Sequence, residues 1–222
     1  MHYWLGIVII MVSTMASAHP QVFVHFVFAT SMPAAQKYNN VQQMHKELAI
    51  LNRYFVTQDH QPIFDFVFKR FIDYESFQKM NCQLLTVLEQ HQDIQHPAVT
   101  EAFNACFQAQ ANEIYFFIYD AYSKKQKLKS TTSWGFNNRS HPFILIDWER
   151  LNYNIQAAEP HEMGHAFGLR HVCEAGTTPK DATNIMASAG NGCKGSGGKR
   201  NKGFNDEQLK TILDHYQKLS RK

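Results

Sequence analysis

Apolar positions along the chain follow two periods. Val22–Phe28 is a near-continuous run of β-branched and aromatic residues and predicts a strand. Val41, Met44, Leu48, Leu51 and Phe55 recur at spacings of three and four, so they share one face of a helix. Residues 63–73 alternate instead. Phe64, Phe66 and Phe68 fall on one side and Asp65, Lys69 and Asp73 on the other, which predicts a half-buried strand. Helices are expected over Cys82–Gln90 and Val99–Gln110. Ile114–Tyr119 is apolar throughout, as suits a strand buried on both faces, and Phe143–Ile146 is a further short strand. Strands alternating with helices point to an α/β or α+β sheet that is partly parallel.

The pattern changes after residue 172. Residues 173–203 are rich in Gly, Ser, Thr, Asn and Lys and read as loop, with residues 190–203 expected to be a flexible, basic and solvated surface segment. Their glycines do not form a phosphate-binding loop, because G-x-x-x-x-G-K-[ST] is absent and no strand precedes them. Asn205-Asp206-Glu207-Gln208 resembles a capping box. Leu209, Ile212, Leu213, Tyr216 and Leu219 form the apolar stripe of a closing helix.

The first eighteen residues stand apart. Trp4–Val12 is an apolar run, and Ala16-Ser17-Ala18 supplies the small residues of an A-x-A cleavage site, so residues 1–18 read as a signal peptide. No Lys or Arg precedes the run, which is atypical, and a buried N-terminal strand is the alternative. The run is shorter than the roughly 20 residues that span a bilayer, so no stable membrane insertion is expected. Export would make the protein secreted or periplasmic and place its cysteines in an oxidising compartment. Cys82, Cys106, Cys173 and Cys193 then suggest two disulfides with three pairings available; Cys82–Cys106 and Cys173–Cys193 are preferred because each closes a local loop.

Composition excludes some classes. At 44% hydrophobic and 18% charged residues, the chain is too apolar to be disordered, and its 222 residues can bury a substantial core. A formal charge of +3 is mild and gives no reason to expect a nucleic-acid partner.

The chemistry concentrates in His161-Glu162-Met163-Gly164-His165-Ala166-Phe167-Gly168-Leu169-Arg170-His171. Four residues apart on a helix, His161 and His165 face the same way one turn apart and can bind one ion. Glu162 lies beside that face, close enough to take a proton from a metal-bound water. Gly168 lets the chain leave the helix sharply, and His171 swings back as a third ligand. Three neutral imidazoles leave a fourth tetrahedral position for water, the hallmark of a catalytic zinc. A structural zinc closed by Cys173 is the rival arrangement. Pro160 is tolerated only in a first helical turn, so the helix is expected to begin late or irregularly.

This segment resembles the zinc motif of the metzincin peptidases at every defined position, H-E-x-x-H-x-x-G-x-x-H. Asn184-Ile185-Met186-Ala187-Ser188 is similar to the family's Met-turn, with Met186 as a soft apolar floor under the imidazoles. Astacins and serralysins carry a tyrosine shortly after that methionine; here Ala187 and Ser188 follow, and the likeness is nearer to bacterial matrixin-like or pappalysin-like members. Trp134, Gly135 and Phe136 resemble the family's edge strand, which binds substrate backbone antiparallel, and residues 143–147 its next strand.

The resemblance implies an α+β fold: a twisted mixed, mostly parallel sheet with packed helices, a zinc helix, a Met-turn and a loop-rich C-terminal lobe ending in a helix. The implied organisation is one catalytic domain over 19–222, with lobes of about 19–171 and 172–222. It implies a monomeric, secreted zinc endopeptidase acting on protein or peptide substrates. One catalytic zinc is expected, and a calcium site is not supported. A secreted non-catalytic binding protein with a structural zinc is the rival from another class, and a metal hydrolase of non-peptide substrates is a second.

Overall fold

The computed structural model describes residues 19–121, 133–136, 142–152, 157–190, 192–195 and 198–221. The expected signal peptide, 1–18, lies outside them. Among the described residues five strands form one sheet in the order β2-β1-β3-β5-β4. β1 (Gln21–Phe28) pairs parallel with β2 (Asp65–Ile72) and with β3 (Glu113–Tyr119). β5 (Phe143–Asp147) runs parallel to β3, and β4 (Ser133–Phe136) pairs antiparallel with β5 as the last strand. The sheet is therefore mixed and mostly parallel, as the strand patterns predict.

Strand parity divides the core in two. Val24, Phe26, Ile114, Phe116, Ile118, Ile144 and Ile146 point to one face, where α1 (Val41–Tyr54), α5 (Ala158–Ala166) and α6 (Asp206–Ser220) pack. Val27, Tyr115, Phe117, Phe143 and Leu145 point to the other, against α2 (Tyr74–Lys79), α3 (Leu84–His91) and α4 (Pro97–Cys106). Helices on both faces are why β1, β3 and β5 carry near-continuous apolar sequence. Phe64 and Phe66 join the first cluster, and Phe68 packs against it, as the alternation in 63–73 requires.

Helix boundaries shift modestly. α3 and α4 start at Leu84 and Pro97 rather than Cys82 and Val99, and α4 ends at Cys106, where Phe107 turns extended. The short α2 has no counterpart in the apolar pattern, because Phe77 alone among its six residues is buried. It is set instead by its N-cap, Asp73, whose carboxylate accepts from Ser76 N at 2.7 Å.

Both preferred disulfides are present, Cys82–Cys106 and Cys173–Cys193. The first ties α4 to the segment before α3; the second pins the segment after His171. Two disulfides fit an extracellular or periplasmic location. Among the described residues no helix is long and apolar enough to cross a membrane. The capping box of α6 is complete: Asn205 Oδ1 accepts from Gln208 N at 2.9 Å, and Gln208 Oε1 accepts from Asn205 N at 3.0 Å.

Candidate metal centre

α5 begins at Ala158, which keeps Pro160 within the first helical turn, as the sequence requires. Its N-cap is Ala157, in the left-handed region at φ 45° and without a side-chain cap. Pro160 then falls at the third helical position, where a missing N–H costs nothing. The irregularity expected before the first ligand is thus in the backbone of the cap. A buried polar clasp holds this end of the helix. Glu47 of α1 bonds to Gln43 and Glu159 and accepts from Asn152 N at 3.1 Å, and burial raises its pKa. Because α5 is buried on nearly all sides, it has no polar face and shows no amphipathic pattern.

Gly168, at φ 87°, ends the helix, and Leu169 N returns to Gly164 O at 3.0 Å. The chain then brings His171 across the face carrying His161 and His165. His171 Nε2 lies 3.2 Å from His161 Nε2 and 3.0 Å from His165 Nε2. Three nitrogens about 3.3 Å apart are what a tetrahedral ion with metal–nitrogen bonds of about 2.0–2.1 Å requires. The three histidines form a group able to hold a metal ion, and among the described residues no other cluster of three such ligands occurs.

The tautomers agree with that role. His161 Nδ1 lies 2.7 Å from the Ile185 carbonyl, and His165 Nδ1 lies 2.8 Å from the Leu169 carbonyl. A carbonyl only accepts, so each Nδ1 carries the hydrogen and each Nε2 turns its lone pair toward the shared point. Protonation is disfavoured at all three rings. Burial lowers the His161 pKa well below the usual imidazole value, with Arg200 adding to the effect, and burial likewise lowers His165. His171, the solvent-facing member, is brought to about 4 by partial burial, His165 and Arg200.

The segment 184–188 passes beneath this group. Asn184 Oδ1 accepts from Met186 N at 2.8 Å and Asn184 O accepts from Ala187 N at 2.9 Å, which makes a tight turn. Asn184 also exchanges amide hydrogen bonds with Gln208 at 2.9 and 3.0 Å, so the capping box of α6 anchors the turn. Met186 is fully buried, and its Sδ and Cε fill the space a β-carbon on Gly164 would need. On the other side of α5, Gly135 of β4 faces the helix backbone: a β-carbon there would collide with Glu162 O and come within 2.7 Å of His165 Cβ. Strand β4 therefore lies against the helix turn that carries Glu162, with Trp134 and Phe136 in register with Leu145 and Phe143 of β5.

Glu162 is 5% exposed. Its electrostatic partner, Arg200, has no distinguishing signal in the sequence, because it is one cation in a basic, glycine-rich run. The expectation of a wholly solvated segment over 190–203 is corrected here. Gly198 packs on buried Thr183, and Arg200 turns inward, donating from Nε to Ala187 O at 2.8 Å. Burial lowers the Arg200 pKa and Glu162 opposes that shift. The inward turn places a cation beside the candidate base and the three rings.

Cys173 is bonded to Cys193 and offers no thiolate. The donor set is then three neutral nitrogens, the ligand type that suits zinc, copper, iron or nickel, with a carboxylate one residue from the first ligand. In comparison with known proteins, no family model and no curated protein matches the chain.

Proposed function

We propose that the chain is an exported zinc-dependent endopeptidase of metzincin type. The observation that carries this reading is the convergence of three imidazole Nε2 atoms, at 3.0 and 3.2 Å from His171 to its partners, on the helix turn that bears Glu162. His161, His165 and His171 would hold the ion, and their neutral state fits that task. A zinc ion bound there supplies Lewis acidity and a water of lowered pKa.

The remaining work falls to the chain itself. Glu162 accepts the proton of the attacking water and returns it to the leaving amine, so peptide and water become carboxylate and ammonium products. Arg200 beside it favours the charged carboxylate that must act as base. The two carbonyls of Ile185 and Leu169 keep the ligand rings from rotating. Met186 and Gly164 set the depth of the floor. Among the described residues β4 is the last strand of the sheet, next to the Glu162 turn, and an extended substrate pairing there by main-chain bonds would present its scissile carbonyl near that residue.

Against a structural zinc stands the disulfide at Cys173, which removes the thiol best placed to close the coordination sphere. Chelation and reconstitution test the proposal. Stripping the purified protein of metal should abolish cleavage of a peptide library, and one equivalent of zinc should restore it. Cleavage that survives chelation, or its absence in protein holding stoichiometric zinc, would refute the peptidase reading.

A further inference from the structure

We propose that a cavity at the C-terminal ends of β1 and β3 is a second binding site, for a small organic molecule carrying a primary ammonium group. It does not depend on the metal centre, with which it shares no lining residue.

Its position follows from topology. The connection after β1 leads through α1 on one face to β2, whereas the chain after β3 proceeds to β4 and β5 on the opposite side of the sheet. Between β1 and β3 the strand order reverses, and in open parallel sheets ligands bind in the crevice beyond such a switch point. A cavity of about 590 Å³ lies there. Residues just after β1, Asp120 just after β3, and α2 and α3 from the far face line it.

The lining selects the ligand. Asp120 is 4% exposed and faces the cavity, and among the described residues nothing donates a hydrogen bond to its carboxylate. A carboxylate that no described protein donor meets is left to the cavity, where a bound ammonium can pair with it. Among the described residues no lysine, arginine or histidine contributes to the lining, and Asp120 supplies its one formal charge. Asp147, paired with β3 next to Asp120, adds negative potential, although its own oxygens accept from Ala121 N and Glu149 N. Around the rim stand Gln78, Asn81 and Gln83, neutral amides able to meet a polar tail. A bare metal ion fits poorly, since no three-ligand cluster occurs here among the described residues and the volume is that of a small-molecule site.

The test uses the full chain and two probes of equal size, 5-aminopentanamide and uncharged hexanamide. Amide chemical shifts of residues 29–31, 78–86 and 120 would be followed on titration. The charged probe should give saturable shifts there and bind at least about tenfold more tightly than hexanamide. Asp120→Asn should abolish that preference while leaving metal content and melting temperature at or above the wild-type values. Thr86→Trp, at the exposed rim, should block both probes without touching the carboxylate. Equal affinity for the two probes, an unchanged preference in Asp120→Asn, or no saturable shift at millimolar concentration would overturn the proposal. Displacement of 5-aminopentanamide by calcium chloride at matched ionic strength would overturn it in favour of a metal site.

Discussion

His161 donates its Nδ1 hydrogen to the main-chain carbonyl of Ile185 at 2.7 Å, across 24 residues of sequence. One bond thus joins the ligand helix to the turn that carries Met186 and fixes which nitrogen of the first ring faces the ion. Metal binding and folding of the C-terminal segment are therefore linked. His161→Ala and His165→Ala should lose metal and lose the rise in melting temperature that metal gives the wild type. His171→Ala, which removes the exposed ligand, should weaken binding by about 10- to 100-fold or more. Metal analysis after dialysis, with melting curves at set metal concentrations, checks this; unaltered metal content in any of the three would exclude that residue as a ligand.

Contact between β4 and α5 depends on Gly135 having no side chain. Gly135→Ala should destabilise the protein by about 1–3 kcal/mol, because its β-carbon would meet the backbone of Glu162, which cannot yield as a side-chain tip can. Gly164→Ala meets the flexible end of Met186 instead and should cost less. Urea denaturation of both variants would order them; equal stability would show that β4 does not lie against the helix as described.

The metal-free protein should lose stability in mild acid. Each ligand ring has a folded-state pKa below its ordinary value of 6.5, chiefly through burial, and that of His171 is about 4. For a depressed pKa the stabilisation is present above the unfolded value and disappears as pH falls through the folded one. Loss should begin near pH 6.5 and continue toward pH 4. Urea midpoints of metal-free protein across this window should fall, and a His161→Gln variant should fall less steeply. A flat profile would contradict the buried, neutral imidazoles.

Reducing Cys173–Cys193 should loosen the segment after His171. Its sequence separation of 20 corresponds to about 3 kcal/mol of loop-closure entropy. The Cys173→Ser, Cys193→Ser double variant should melt lower and bind metal more weakly, while retaining the three histidine ligands by spectroscopy. Unchanged stability would mean that the bridge constrains nothing in the unfolded chain.

Much of this architecture is legible in residue patterns, for reasons visible at particular positions. Phe64, Phe66 and Phe68 reveal their strand because one side faces the core and the other does not. The spacing of His161, His165 and His171 reveals the site because helix pitch and a Gly168 turn leave one geometry that serves all three. What stays hidden is carried by the main chain or by context. The carbonyls of Ile185 and Leu169 orient the ligand rings, and any residue type supplies a carbonyl. The left-handed cap at Ala157 breaks the usual N-cap preference. α2 rests on Asp73 and a single buried Phe77. Arg200 looks like its neighbouring cations until Gly198, packed on Thr183, turns the chain inward.

Glu162→Gln offers the most direct test, with zinc content and peptide hydrolysis measured on the same sample. The neutral amide preserves shape and leaves the three imidazoles untouched. It should keep one zinc per chain and lose at least about 100-fold in turnover. Full turnover by the variant, or a wild type that binds zinc and cleaves no peptide, would contradict the assignment of Glu162 as the base of a peptidase.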